Sequence, residues 1–157
     1  MNNPAETKDL MHCDRLIVQT DLRAIAEILS WFRAFQQPIV TQAIWLQGQI
    51  ALVEAFTNAV RHAHAQLPKQ TPIKLEAELY RERLEIKVWD QGAPFDLAPL
   101  LDRVEQDYPN PLEHEAHWGV ALFKKLQDEH HWHVEYHCGC EGQNCLRLTR
   151  YFQTSQS

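Results

Sequence analysis

The stretch "IALVEAFTNAVRHA", residues 50–63, decides how this chain is interpreted. Apolar residues cover nearly every side of the helix that it predicts, yet Glu54 and Asn58 stand four residues apart and therefore share one face. Burying a carboxylate without a partner is costly. A hard cation would suit the amide oxygen of Asn58, and the proton of a nucleophile would suit Glu54. The same spacing also fits an ordinary solvated stripe, so the pair alone leaves both interpretations open.

Length and composition favour one domain and exclude several classes of function. The chain has 157 residues, of which 45% are hydrophobic, which is enough for a single core. A formal charge of -6 and a pI near 5.8 argue against a nucleic-acid partner. Residues 1–14 lack the pattern of a signal peptide, and no apolar run approaches the ~18 residues that cross a bilayer. We therefore expect no membrane association, a cytoplasmic location and reduced cysteines.

The first half of the chain predicts a strand followed by two helices. Residues 16–20, "LIVQT", are typical of a short strand. An amphipathic helix follows as far as the break at Pro38, and Thr41 caps a second helix that runs to about Ala65. The second helix contains the opening stretch. The first helix is predicted from apolar residues at helical spacing: Leu22, Ile25, Leu29, Phe32 and Phe35.

The second half predicts a β-hairpin, a long loop, a helix and two more strands. "IKLEAELY" and "LEIKVW" alternate strictly and are joined by a short polar turn, which is typical of a hairpin with one covered face. Residues 97–117 are acidic and broken by prolines, and such a long connection indicates a lid or binding loop. "WGVALFKKLQDEH" has helical spacing, and "WHVEYHC" and "CLRLTRYF" have strand patterns.

This order predicts an α+β fold, a two-layer sandwich in which a mostly antiparallel mixed sheet carries helices on one face. We expect the domain to occupy residues 14–152, with an N-terminal tail at 1–13 and a C-terminal tail at 153–157.

Two further segments indicate a binding site, but each is a weak signal when it is taken alone. In "VWDQGAPF" a strand ends at Asp90 and Gly92 follows, so a carboxylate could accept a hydrogen bond from an exocyclic amine beside a flat ring. An ordinary Asp-x-Gly turn explains the same residues. In "HWGVALFKK" Gly119 lies near a helix start, where free N–H groups and the helix dipole suit a phosphate.

In this order, the three segments resemble the nucleotide-binding motifs of the GHKL, or Bergerat-fold, ATPases. "EAFTNAVRHA" resembles the N box, "DQGAPF" the first glycine box, and "WGVALFKKLQDE" the second glycine box. Within that superfamily the chain looks most like the anti-sigma-factor serine kinases, over residues 14–152. The E-x-x-x-N and D-x-G patterns are fairly specific, whereas the second glycine box is not.

The resemblance implies a Mg-ATP or Mg-ADP site. Asn58 would hold the Mg²⁺ that bridges the phosphates, and Glu54 would act as the catalytic base or orient the attacking hydroxyl. Asp90 would bind the adenine amino group while Gly92 gives the ring room. The remaining nucleotide contacts implied by the two glycine boxes are Pro94, Gly119 and Val120.

The implied function is that of an ATP-binding anti-sigma regulatory factor with protein-serine kinase activity. It would phosphorylate a STAS-type anti-sigma-factor antagonist and bind a sigma factor in a partner switch. The resemblance also allows a homodimer. The alternative is a catalytically weak or inactive binding module, because the second glycine box reads His117-Trp118-Gly119 instead of G-x-G, and Asn144-Cys145 stands where the family often has Gly-Thr. A sensor histidine kinase would need a phosphoacceptor helix pair upstream of the first strand.

The histidines and cysteines of residues 130–145 invite a zinc interpretation, which we do not favour. The segment "HHWHVEYHCGCEGQNC" lacks paired C-x-x-C spacing. Alternate residues of a strand point to opposite faces, so one tetrahedral site cannot collect them all. Roles in the core and in a hairpin turn are the simpler expectation.

Overall fold

Five strands and three α-helices make up the part of the chain that the structure describes, which is residues 9–94 and 118–152 of a computed structural model. The strands are β1 (Leu10–Gln19), β2 (Pro72–Tyr80), β3 (Arg83–Asp90), β4 (Trp132–Cys138) and β5 (Asn144–Tyr151). The α-helices are α1 (Ile25–Phe32), α2 (Gln42–Asn58) and α3 (Trp118–His130). Short 3-10 turns (Leu22–Ala24, Arg33–Phe35 and Cys140–Gly142) and a π-helical turn (Ala59–Ala63) complete the list.

The strands form one sheet in the order β1-β2-β3-β5-β4, and every pairing is antiparallel. The predicted hairpin is confirmed, with Leu75 opposite Val88. On the next strand Ile86 lies opposite Leu148, so the apolar positions line up on a single face. The α+β sandwich is therefore confirmed.

The helices cover that apolar face. Phe32 of α1 stacks on Trp45 of α2 with ring centroids 4.6 Å apart, and both are buried. Trp132 of β4 is also buried, and its indole N–H donates to Oε1 of Gln47 on α2 at 2.9 Å. α3 packs against β4 and α2. Since aromatic side chains bury large apolar areas, this cluster anchors the helical layer on the sheet.

The first strand is longer than the sequence predicted. We expected a strand at residues 16–20 and a tail over residues 1–13, but β1 begins at Leu10 and pairs along β2. His12 and Asp14 break the alternation of apolar and polar residues that predicts a strand, because they are polar residues on the covered face. The ring of His12 packs on Phe35 at 4.7 Å, and Oδ2 of Asp14 accepts from the indole of Trp31 at 3.0 Å.

The predicted helices are confirmed with one local difference. Oγ1 of Thr41 accepts from the Ile44 N–H at 3.2 Å, which is the expected cap of α2. The second helix was predicted to run to about Ala65 without interruption, but α2 ends at Asn58 and continues as the π-helical turn. The predicted lid and the C-terminal tail lie outside the described residues.

Candidate functional site

Glu54 and Asn58 lie on α2 and both are half-buried. The geometry of the helix changes at Asn58, where the α-helix passes into the π-helical turn. The Ala59 N–H at this junction reaches the carbonyls of both Ala55 and Phe56. Such π-turns are rare and occur often at functional sites, because the wider turn re-aims the side chains around it.

Burial changes the acid-base chemistry of Glu54. Desolvation raises the pKa of its carboxyl, while the positive charges of Arg61 and His62 oppose that shift. A carboxylate with a raised pKa is a stronger base than an exposed one, which suits the acceptance of a proton from a hydroxyl. A neighbouring bound cation would favour the charged form of Glu54.

Asp90 is buried at the end of β3 and is held in a polar turn. Its Oδ1 accepts two hydrogen bonds, from the Gly92 N–H at 2.9 Å and from Nδ2 of Asn144 at 3.0 Å. Nδ2 of Asn144 also donates to the Gly92 carbonyl at 2.8 Å. Oδ2 of Asp90 receives no hydrogen bond from the described residues. One carboxylate oxygen is thus fixed and the other remains able to accept from a ligand amine.

Gly92 is needed for the close approach of this turn to the end of the π-helical turn. A Cβ built on Gly92 would stand 2.3 Å from the Ala63 carbonyl oxygen and 2.8 Å from its carbon. Those atoms are backbone and cannot rotate away. Glycine therefore joins the Asp90 turn to the end of the helix that carries Glu54 and Asn58. The room for a ring that we predicted from Gly92 stays a prediction.

His64 makes a second connection between the same two segments, and the sequence analysis missed it. The side chain is buried, and its Nε2 accepts from the Gln91 N–H at 2.8 Å. Its Nδ1 lies 2.8 Å from Oγ1 of Thr20. These partners are 27 and 44 residues away along the chain, so no local pattern could have revealed them.

The residues of the second glycine box open α3. Gly119 and Val120 lie in its first turn, and Val120 packs against the core. The first-turn N–H groups of a helix have no partner within the helix, which suits a phosphate. Pro94 is exposed and is the last described residue before the gap at 95–117.

The described structure brings some of the predicted site residues together and leaves others apart. Gly92 and its turn lie against the end of the π-helical turn, and α3 packs against α2. Among residues 9–94 and 118–152, no hydrogen bond joins Glu54 or Asn58 to Asp90, and no group of three or more His, Cys, Asp and Glu side chains could hold a metal. The amide oxygen of Asn58 is compatible with Mg²⁺ only if phosphate and water oxygens complete the coordination shell. Mg²⁺ in proteins usually keeps such ligands.

Comparison with known proteins identifies the family. A model of the histidine kinase-like ATPase domain matches residues 18–150. The chain belongs to the histidine kinase-like ATPase family. The predicted membership of the GHKL superfamily is therefore confirmed, and Glu54, Asn58 and Asp90 lie within the matched range.

Curated relatives of this histidine kinase-like ATPase are named serine-protein kinase RsbW. One from Bacillus cereus strain AH187 is 35% identical over 111 residues, which cover 69% of this chain and 64% of the relative. Others from Bacillus mycoides strain KBAB4 and Bacillus anthracis strain A0248 are 34% and 35% identical over the same shares. The match spans less than two thirds of the length of these relatives. No helix within the described ranges is both long and apolar enough to cross a membrane.

Proposed function

We propose that this protein is an ATP-binding anti-sigma regulatory factor with protein-serine kinase activity. Its substrate would be a serine of a STAS-domain anti-sigma-factor antagonist, and its second partner a sigma factor or similar regulator. The observation that carries the proposal is the pairing of a half-buried Glu54/Asn58 face with an Asp90 turn held against the end of the same helical segment, in a member of the histidine kinase-like ATPase family. The relatives are named serine-protein kinases, which agrees with the proposal.

The proposed chemistry divides between the two ends of the site. Mg²⁺ bound at Asn58 would neutralise charge on the phosphates of ATP, which is the main requirement of phosphoryl transfer. Glu54 accepts the proton of the attacking serine hydroxyl, and burial makes it the stronger base. Asp90 Oδ2 accepts from the adenine amino group, since Oδ1 is already occupied. The first turn of α3, with Gly119 and Val120, donates to the phosphates.

The test is a phosphoryl-transfer assay with the full chain, Mg-ATP and each STAS-domain protein of the source genome. We expect phosphoserine on one of them, and none with Glu54→Ala. Glu129→Ala is a matched control, because Glu129 is an exposed carboxylate in the last turn of α3, and the proposed phosphate contacts lie in the first turn. Absence of phosphoserine across the complete set would reject the kinase proposal.

A binding module without turnover is the second candidate. It is favoured by the His117-Trp118-Gly119 sequence, in which an imidazole and an indole replace the flexible backbone of a G-x-G motif. Under this proposal nucleotide tunes a protein interface and no phosphoserine forms. A transfer rate that disappears in Glu54→Ala would reject it.

Homodimerisation through the first strand and helix is part of the same proposal. β1 is an edge strand of the sheet, and Met11 and Ile17 on it are large exposed apolar residues. Unpaired edges with apolar side chains are prone to pairing with a second chain. Sedimentation of Ile17→Lys should show a monomer if the dimer uses this edge, whereas an unchanged dimer would place the interface elsewhere.

A further inference from the structure

The hydrogen bonds around His64 define the tautomer of its ring. Oγ1 of Thr20 donates its only proton to the Thr71 carbonyl at 2.7 Å, so it can only accept from Nδ1 of His64. Nε2 accepts from the Gln91 N–H, so it carries no proton. The geometry thus requires a neutral imidazole protonated on Nδ1. Each ring nitrogen of His64 thus has one hydrogen-bond partner.

This one side chain joins four segments of the fold. His64 itself immediately follows the π-helical turn that extends α2. Thr20 follows the end of β1, Thr71 precedes β2, and Gln91 lies between Asp90 and Gly92. The His64 bond therefore fixes the backbone of the turn whose carboxylate is assigned to adenine. Asn144 fixes the same turn from the side of β5.

We propose that His64 is a positioning residue that locks the Asp90 turn against the end of the Glu54/Asn58 helix and keeps the adenine-binding carboxylate in place. The part that concerns nucleotide rests on the proposed function, whereas the lock itself does not. Without the lock, the packing of Gly92 on Ala63 would remain as a connection between the turn and the helix end. Protonation of the ring would open the lock, because a second N–H on Nε2 would face the Gln91 N–H and two donors cannot bond to each other.

The charges around His64 set the pH range in which the lock should open. Desolvation lowers the pKa of His64 and the charge of nearby Asp90 opposes that shift, so the ring stays neutral at neutral pH. The next charged groups along the packed segments are Asp21, beside Thr20, and Lys69, which pair with each other at 3.0 Å. The lock should be intact at about pH 7.5 and should weaken only below the ordinary histidine range of ~6.5.

The first experiment measures how strongly the backbone of the Asp90 turn is protected from amide exchange in the absence of nucleotide. Amide exchange of Gln91 should speed up at least about tenfold in His64→Phe, after correction for global stability, because the ring volume is kept and both hydrogen bonds are lost. His64→Gln, whose side-chain oxygen can replace Nε2 as acceptor, should restore most of the protection. His133→Phe is the control, since His133 is exposed on β4. Nitrogen NMR of the wild type should show His64 protonated on Nδ1. Unchanged Gln91 exchange in His64→Phe, or a His64 that is charged at neutral pH, would overturn the lock.

The second experiment measures Mg-ADP affinity by calorimetry. His64→Phe should weaken binding roughly tenfold, while His64→Gln stays closer to wild type. Wild-type affinity should fall as the pH is lowered below the ordinary histidine range of ~6.5, and the affinity of His64→Gln should not. A His64→Phe protein that melts earlier but binds Mg-ADP as the wild type does would show a purely structural role and overturn the positioning claim. Absence of Mg-ADP binding to the wild type would instead reject the proposed function, and the exchange experiment would still decide the lock.

Discussion

Replacing Gly92 by alanine tests how tightly the Asp90 turn is joined to the end of the helical segment. The added Cβ would lie 2.3 Å from the Ala63 oxygen, 2.8 Å from its carbonyl carbon and 2.9 Å from its Cα. An ordinary contact between carbon and oxygen is ~3.4 Å. Either the Asp90 turn or the end of the π-helical turn must therefore move by about 1 Å, and the packed backbone of both segments resists that movement.

The cost follows from overpacking and from the bonds that the movement would stretch. Forcing an extra carbon into packed structure costs typically about 1–3 kcal/mol. The Asp90 Oδ1 bond from the Gly92 N–H would also lengthen from 2.9 Å. For a domain of this size each kcal/mol lowers Tm by about 2–4 °C, so Gly92→Ala should melt roughly 2–12 °C earlier than the wild type. It should also bind Mg-ADP more weakly.

Gly48→Ala provides the matched control for the melting experiment. The three atoms nearest to its Cβ outside the helix backbone would be side-chain atoms at ordinary distances, starting with Cη2 of Trp132 at 3.4 Å. Gly48 lies inside α2, where alanine is favoured over glycine by up to ~1 kcal/mol. We expect Gly48→Ala to be neutral or slightly more stable. Equal melting temperatures of Gly92→Ala and the wild type would refute the close approach.

Three other expectations follow from named residues. Asn58→Ala should weaken Mg-nucleotide binding in calorimetry, whereas Glu54→Ala should keep it and lose transfer by ~10² to 10⁴; identical defects would contradict separate roles. Because the pKa of Glu54 is raised, its charged form destabilises the nucleotide-free fold above that pKa. Nucleotide-free Glu54→Gln should therefore melt no earlier than the wild type at neutral pH, and the difference in Tm should shrink as the pH falls. A large loss of Tm in Glu54→Gln would make Glu54 a structural residue. Glu85 is 4% exposed and pairs with Arg83 and Arg147, so Glu85→Ala should cost about 1–3 kcal/mol in urea unfolding, and a neutral result would exclude a stabilising pair.

The sequence predicted the elements whose side chains follow one period. The hairpin of β2 and β3 was clear because Leu75, Ala77 and Ile86 alternate with charged residues, and the register confirms it. Half of β1 was missed because a polar residue on the covered face breaks the alternation, and the Trp31 indole that satisfies Asp14 lies 17 residues away.

The candidate site was predictable only where its residues form a local motif. The E-x-x-x-N and D-x-G spacings pointed to Glu54, Asn58 and Asp90. His64 and Asn144 act through partners 27 and 54 residues away, so their contacts with the Asp90 turn depend on how β3, β5 and the helix end meet. The π-helical turn was equally hidden, because no residue in "AVRHA" breaks a helical pattern.

Calorimetric titration of the wild type and of Asp90→Asn with Mg-ADP and Mg-GDP would show whether Asp90 recognises adenine. Oδ2 of Asp90 accepts no hydrogen bond from residues 9–94 and 118–152, and such an acceptor suits the exocyclic amine of adenine and not the carbonyl of guanine. We expect saturable binding of Mg-ADP by the wild type, much weaker binding of Mg-GDP, and a clear loss of Mg-ADP affinity in Asp90→Asn. Wild-type affinity in Asp90→Asn, or no preference between the two nucleotides, would contradict this expectation.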